Sequence, residues 1–188
     1  VLELILDAKD SPVPSVADLS DVEPTEYEDV DGVTTGLKAI DDELMRLFFG
    51  TLTIVSGQPG SGKSSLLTQL ACNSLDNDIG TWLFSGELPN GVEKSWFNYI
   101  FAGPRNITDA ISRRGNPYKK ISTTTLAEIN KTYKGRWHIY RDDYDNTLDK
   151  LIASMTDTVR KYGARCLILD NFMCIDTETS AEELRSQT

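Results

Sequence analysis

Histidine, methionine and cysteine are scarce in this chain of 188 residues, which holds one His, three Met and three Cys. Cys72, Cys166 and Cys174 are odd in number and lack Cys-x-x-Cys spacing. That excludes a disulfide framework and a cysteine zinc site, and it points to a reducing interior. Their expected role is that of small buried hydrophobes. No apolar run approaches the roughly 20 residues that span a bilayer, so no membrane partner is expected. The start, Val1-Leu-Glu-Leu-Ile-Leu6, is too short and lacks the basic flank of a signal peptide. An initiator Met is missing too, so a piece of a longer chain is expected. The lone His138, in Arg-Trp-His-Ile-Tyr, has no second histidine to work with, and packing is its expected role.

Positive charge is also in deficit: 19 Lys and Arg stand against 29 Asp and Glu, for a net charge of −10. The deficit is local. Residues 1–31 hold ten acidic residues against Lys9 alone, while the remaining 157 carry 18 basic and 19 acidic residues. The acidity belongs to an N-terminal linker or arm, rich in Pro and Asp between 7 and 31, and not to the body. A body near neutrality can hold a basic patch, so a pI of 4.6 does not exclude a nucleic-acid partner.

Strands and helices alternate along the body. Leu37, Ile40, Leu44 and Leu47 predict a short helix before Phe48-Phe49-Gly50. Strands are expected at Thr51–Ser56, Thr81–Ser85, Arg136–Tyr140 and Arg165–Asp170, the last so apolar that burial on both faces is expected. Helices are expected at Lys63–Leu75 (with Leu66, Leu67, Leu70 and Ala71 on one side), at Gly91–Ala102 and at Leu148–Tyr162. Ser180-Ala-Glu-Glu183 matches a capping box and predicts a further helix start. The alternation predicts an α/β fold, a mostly parallel sheet with helices on both faces.

Between strand and helix, Gly57-Gln58-Pro59-Gly60-Ser61-Gly62-Lys63-Ser64 fits G-x-x-x-x-G-K-[ST], the phosphate loop of P-loop NTPases. Its glycines let consecutive backbone N–H groups point at phosphate oxygens, and the following helix aims its positive dipole end at the same anions. Lys63 would reach the β- and γ-phosphates of ATP, and the Ser64 hydroxyl would help to hold Mg²⁺. Ser65 completes the candidate nucleotide-binding stretch. Cys166-Leu-Ile-Leu-Asp170 is an apolar strand ending in a carboxylate, the pattern that delivers an Asp to the metal. Glu87, 24 residues after Lys63 in Leu-Phe-Ser-Gly-Glu-Leu-Pro, is a candidate to orient and deprotonate the attacking water.

Taken together, these segments resemble the RecA-like core of hexameric replicative DNA helicases, the DnaB and Twinkle group, and within it the phage primase-helicase-like branch. The likeness runs through Gly32-Val-Thr-Thr-Gly-Leu-Lys-Ala-Ile-Asp41, Thr51–Ser65, Phe84-Ser-Gly-Glu-Leu-Pro89 and Leu167-Ile-Leu-Asp-Asn171, and spans roughly residues 32–188. It implies a RecA-like P-loop NTPase preceded by the acidic linker. It also implies catalytic roles for Glu87, Lys63 and Asp170, metal ligation by Ser64 and Asp170, and a polar Asn171 near the γ-phosphate. Implied partners are single-stranded DNA, neighbouring copies in a hexameric ring and a fused primase-like domain, in a cytoplasmic setting in a bacterium or a phage-infected cell. The family's phosphate sensor, DNA loop and arginine finger would fall beyond Thr188. An arginine finger is worth about 10³–10⁵ in rate in related NTPases, so slow hydrolysis is expected of the isolated chain.

Three other readings stay open: a RecA-like recombinase or clock-type ATPase, a P-loop small-molecule kinase, and a non-catalytic nucleotide-binding oligomerisation module. Residues 100–136 gather Arg105, Arg113, Arg114, Lys119, Lys120, Lys131, Lys134 and Arg136 against Asp109 and Glu128, with Tyr118 and Tyr133 among them. Such a stretch suits single-stranded nucleic acid, but a plain solvated insertion is the preferred reading. Asp142, Asp143 and Asp145 follow a strand, where Asp is favoured for local reasons, and they are assigned no role.

Overall fold

The computed structural model describes residues 15–176, and the chain divides between Asp31 and Gly32 into two compact units. In the first unit the described residues form two 3-10 turns, Leu19–Asp21 and Tyr27–Asp29. Asp18 starts the first of them, accepting from the N–H and hydroxyl of Ser20 at 2.9 and 2.6 Å. The helix start expected at Ser180–Glu183 lies outside the described residues.

The second unit opens with a short antiparallel pair, β1 (Gly32–Val33) and β2 (Leu47–Phe48), around helix α1 (Lys38–Leu44). Its main sheet has the order β6-β3-β7, all parallel, from β3 (Thr81–Ser85), β6 (Trp137–Ile139) and β7 (Cys166–Asp170). All five residues of the central β3 are buried, and its alternation splits the core in two. Leu83 and Ile168 pack beneath Ala71, Cys72 and Leu75 of α2 (Lys63–Asp76) and Phe97 of α3 (Asn90–Ala102). Trp82 and Phe84 pack on the opposite face with Tyr140, Ile175 and Leu151 of α5 (Leu148–Tyr162). There the Trp82 indole donates to Ser154 Oγ at 3.1 Å. The expected α/β arrangement, a parallel sheet with helices on both faces, is borne out.

Several local expectations need correction. Thr51–Ser56 forms no strand: among the described residues it has no pairing partner, and Leu52 and Ile54 are 85% and 81% exposed. Its β-branched composition favours a pleated, half-buried surface, and without a neighbour on its edge or face that preference is not realised. In α2 the buried stripe runs through Thr68, Ala71, Cys72 and Leu75, with Leu67 beside it. The helix is therefore turned away from Leu66 and Leu70. β7 is an edge strand and leaves Leu167 39% exposed, so it is not buried on both faces.

The stretch between α3 and β6 is also more ordered than a plain insertion. It holds an antiparallel ribbon, β4 (Ile107–Ile111) with β5 (Pro117–Ile121), and then α4 (Thr123–Thr132), which Ser122 caps by accepting the Thr125 N–H at 3.0 Å. All three cysteines are free thiols, Cys72 fully buried. His138 stacks on the Tyr162 ring at 4.3 Å, the packing role expected of it.

Candidate functional site

The phosphate-loop residues precede α2, and the connection from α2 to β3 is only residues 77–80. A link that short forces α2 to run antiparallel to β3. Its 14 residues extend about 21 Å and the five of β3 about 17 Å. The start of α2 therefore lies over the carboxyl end of the sheet, where open α/β sheets bind their ligands. At that end, Ser85 and Asp170 are register partners as the last residues of neighbouring parallel strands. The Gly86 N–H then donates to the Asp170 carbonyl at 2.6 Å. Glu87 follows at once, and its carboxylate accepts a hydrogen bond from the Asn171 side chain.

Only glycine fits between Ser85 and Glu87, because a Cβ at Gly86 would collide with that of Cys174. This close approach ties the turn carrying Glu87 to the turn that follows Asp170. Two residues 84 positions apart in sequence, Glu87 and Asn171, thus meet through backbone packing. Asp170 itself is 4% exposed.

Gly60 and Gly62 take φ of 76° and 89°, a region costly for other L-residues, and nothing lies within 4 Å of where a side chain would stand. Residues 57–62 are exposed, so open space lies before the first N–H groups of α2. Lys63 Nζ turns back over the loop and donates to the carbonyl oxygens of Gly57 and Gln58, both at 3.1 Å. Ser64 is half-buried at the second position of α2, and its carbonyl accepts from Thr68 Oγ1 at 2.8 Å. Ser65 is exposed. A cationic lysine, open glycine backbone and a helix N-terminus make a donor set that fits polyphosphate.

Among the described residues there is no group of three His, Cys, Asp or Glu able to hold a metal ion. One buried carboxylate and one hydroxyl make a poor cage for a metal alone. They fit Mg²⁺, which keeps waters and shares its shell with substrate phosphates.

Sequence reasoning missed Glu93. It sits on α3 with 1% exposure, and its Oε2 is buried with no hydrogen-bond partner. Burial pushes its carboxyl above the usual range, the neighbouring Asp170 charge adds to this, and the Ser85 hydroxyl opposes it. Ser85 Oγ in turn accepts the Leu88 N–H at 3.2 Å. Glu93 thus lies against the neighbouring strand ends of β3 and β7, next to Ser85 and Asp170. Its sequence context gave no sign, since a Glu in the first turn of a helix is ordinarily there for the dipole.

The lead-in segment is built around Asp41. Its carboxylate accepts from the Thr35 N–H and hydroxyl, both at 2.7 Å, and from the Gly36 N–H at 3.1 Å. Asn73 of α2 donates to the Thr34 carbonyl at 2.6 Å. Gly36 has φ of 76°, and a Cβ there would stand 2.5 Å from Asn73 Oδ1. The Thr-Thr-Gly…Asp spelling is thus a clamp that fixes the lead-in against the helix that follows the phosphate loop.

Two comparisons with known proteins bear on these residues. The family described as "ATPase: KaiC" matches residues 33–188. The Twinkle homolog protein, chloroplastic/mitochondrial, of Arabidopsis thaliana is 24% identical over 203 residues, covering 98% of this chain and 27% of that protein. The chain therefore spans about a quarter of that relative's length. Both bear out the likeness to RecA-like ATPase cores, and the second bears out the likeness to the Twinkle group.

Proposed function

The chain belongs to the KaiC family of ATPases, and from that premise we propose that it is the nucleotide-hydrolysing part of a replicative helicase motor. In this reading it couples ATP hydrolysis to movement along single-stranded DNA and to duplex unwinding. The observation that carries the proposal is the meeting of Glu87 with Asn171, immediately after Asp170, at the end of the sheet that the phosphate loop overhangs. A small-molecule kinase needs an acceptor pocket at this point; a hydrolase needs a carboxylate that can address water.

The residues divide the work as follows. The backbone of Gly57–Gly62 binds the phosphates of ATP, with Gln58, Pro59 and Ser61 shaping the loop and Ser65 extending the stretch into α2. Lys63 exchanges its two carbonyl partners for phosphate oxygens. Ser64 and Asp170 would hold Mg²⁺, which when bound would draw negative charge from the γ-phosphate. Glu87, oriented by Asn171, aligns the attacking water and accepts its proton as the oxygen bonds to phosphorus and ADP departs.

The helicase branch rests on a relative named as a Twinkle homolog and on the lead-in clamp and Ser-Gly-Glu turn. It brings with it single-stranded DNA as track, a ring of neighbouring copies (a hexamer) and a fused primase-like domain. The name of the matched family favours a clock-type ATPase as the second reading, which differs in showing no DNA stimulation.

Glu87→Gln is the test. Single-turnover hydrolysis should fall by about 10²–10⁴ while a fluorescent ATP analogue still binds. Hydrolysis at the wild-type rate would remove Glu87 from the chemistry. Wild-type hydrolysis indifferent to single-stranded DNA would favour the clock-type reading.

A further inference from the structure

The ribbon between α3 and α4 has no part in nucleotide chemistry, and its charge is sorted by face. Its base is packed, with Ile107 and Ile121, partners in register, against Ala102, Leu126 and Ile129, and further along the Tyr99 hydroxyl of α3 donates to the Lys119 carbonyl at 2.6 Å. Beyond that base nearly every residue is exposed. Among the described residues the strands pair with each other alone. The tip, residues 112–116, is closed by Ser112 N–H to the Asn116 carbonyl at 2.8 Å and Gly115 N–H to the Ser112 carbonyl at 2.9 Å. It leaves Arg113 and Arg114 in solvent.

Side chains alternate between the two faces of a ribbon. On one face Asp109 is the register partner of Lys119 and is ion-paired with it at 2.6 Å, with Ile111 and Pro117 alongside. That face is neutral. On the other face the register pairs are Thr108 with Lys120 and Ala110 with Tyr118. It bears no carboxylate, and among the described residues Lys120, Arg113 and Arg114 have no acidic partner. Tyr118, two residues or about 7 Å from Lys120, is 45% exposed. Unpaired cations flanking an exposed ring are what a single strand needs: phosphates meet the cations, and an unstacked base meets the ring. A duplex keeps its bases stacked and has no use for the tyrosine.

We propose that this face of the ribbon, Tyr118 and Lys120 with Arg113 and Arg114 at its tip, is a contact site for single-stranded nucleic acid. It stands apart from the strand-end site and does not depend on hydrolysis. In the motor reading it supplies a strand contact outside the machinery that handles ATP.

Fluorescence anisotropy of a labelled twenty-nucleotide oligothymidylate with the full 188-residue chain, over a range of salt, tests it. Lys120→Ala should weaken binding and flatten the log–log salt slope by about 0.7, the single-strand value per phosphate contact, and the triple variant with Arg113→Ala and Arg114→Ala by about 2. Tyr118→Ala should weaken binding about fivefold or more, as loss of one stacked base does, without changing the slope. The control is Lys119→Ala, an equal change of charge on the neutral face, which should leave both quantities as they are.

Equal losses from Lys119→Ala and Lys120→Ala would overturn the proposal in favour of diffuse attraction. Binding of blunt duplex as tightly as the single strand, or no binding of oligothymidylate by the wild type, would also overturn it. Hydrolysis by the same variants is read separately. Its absence from the wild type would count against the motor reading and not against this site.

Discussion

Glu93 is held in a place that stability alone does not favour. A fully buried carboxylate oxygen without a partner costs about 1–3 kcal/mol, and Asp170 beside it makes the charge harder still to keep. Residues that cost the fold in this way survive where they serve a site. Here the path is short: Glu93 lies against Ser85, and Ser85 Oγ holds the Leu88 N–H next to Glu87. Glu93→Gln removes the titratable group and keeps the volume. Urea unfolding at neutral pH should show a higher midpoint, worth about 1 kcal/mol, with the m-value unchanged. Hydrolysis by the same variant should fall while nucleotide binding persists. A purely structural Glu93 would give the gain in stability with no loss of turnover, so the two readouts separate the roles.

The lead-in clamp behaves as an element and not as a set of residues. Accepted hydrogen bonds from Thr35 hold the Asp41 carboxyl below its usual range, against a small opposing effect of burial, with the Gly36 N–H adding to them. A carboxyl whose folded value is depressed contributes its stabilisation above the unfolded value near 3.8, and that contribution is lost as pH falls through the folded value. Amide exchange of Thr35 and Gly36 should therefore quicken below about pH 4, and Asp41→Asn should remove that pH dependence. Gly36→Ala, at positive φ and facing Asn73, should lower stability by about 1–3 kcal/mol in thermal or urea unfolding.

Elements of this kind also mark what was legible beforehand. α2 and α5 end within a residue of expectation, though α2 buries a stripe through Thr68, Ala71, Cys72 and Leu75, and β3 matches to the residue. Glu87 and Asp170 were readable as strand-end carboxylates because the strands before them are apolar. The ribbon β4–β5 was not readable, since Ile107, Ala110 and Ile111 in one strand and Pro117, Tyr118 and Ile121 in the other lack the alternation that marks a half-buried strand. Glu93 was hidden because its neighbours Ser85 and Asp170 come from two other elements. Thr51–Ser56 misled for the opposite reason: local propensity favours a strand, and only a partner could make it one.

At the scale of the whole molecule, that unpaired segment and the edge of the sheet share one consequence. Among the described residues β7 pairs with β3 alone, and a strand side left open in this way is the template on which other chains add. Leu52 and Ile54 stand 85% and 81% exposed, and Phe172 and Met173, just past β7, are 64% and 89% exposed. Large exposed apolar side chains favour association between copies. The body beyond residue 31 sums to −1, so it lacks the net charge that would keep copies apart. The isolated chain should therefore associate in a concentration-dependent way in sedimentation velocity. Leu52→Lys with Ile54→Lys should shift it toward the monomer without altering the far-ultraviolet circular dichroism, since neither side chain contributes to any of the three core clusters. Raised salt should not undo the association if apolar burial and backbone pairing drive it. A dissociation that tracks ionic strength would instead point to the acidic arm, residues 1–31, meeting basic surface on a second copy, and the double lysine variant would then associate as the wild type does.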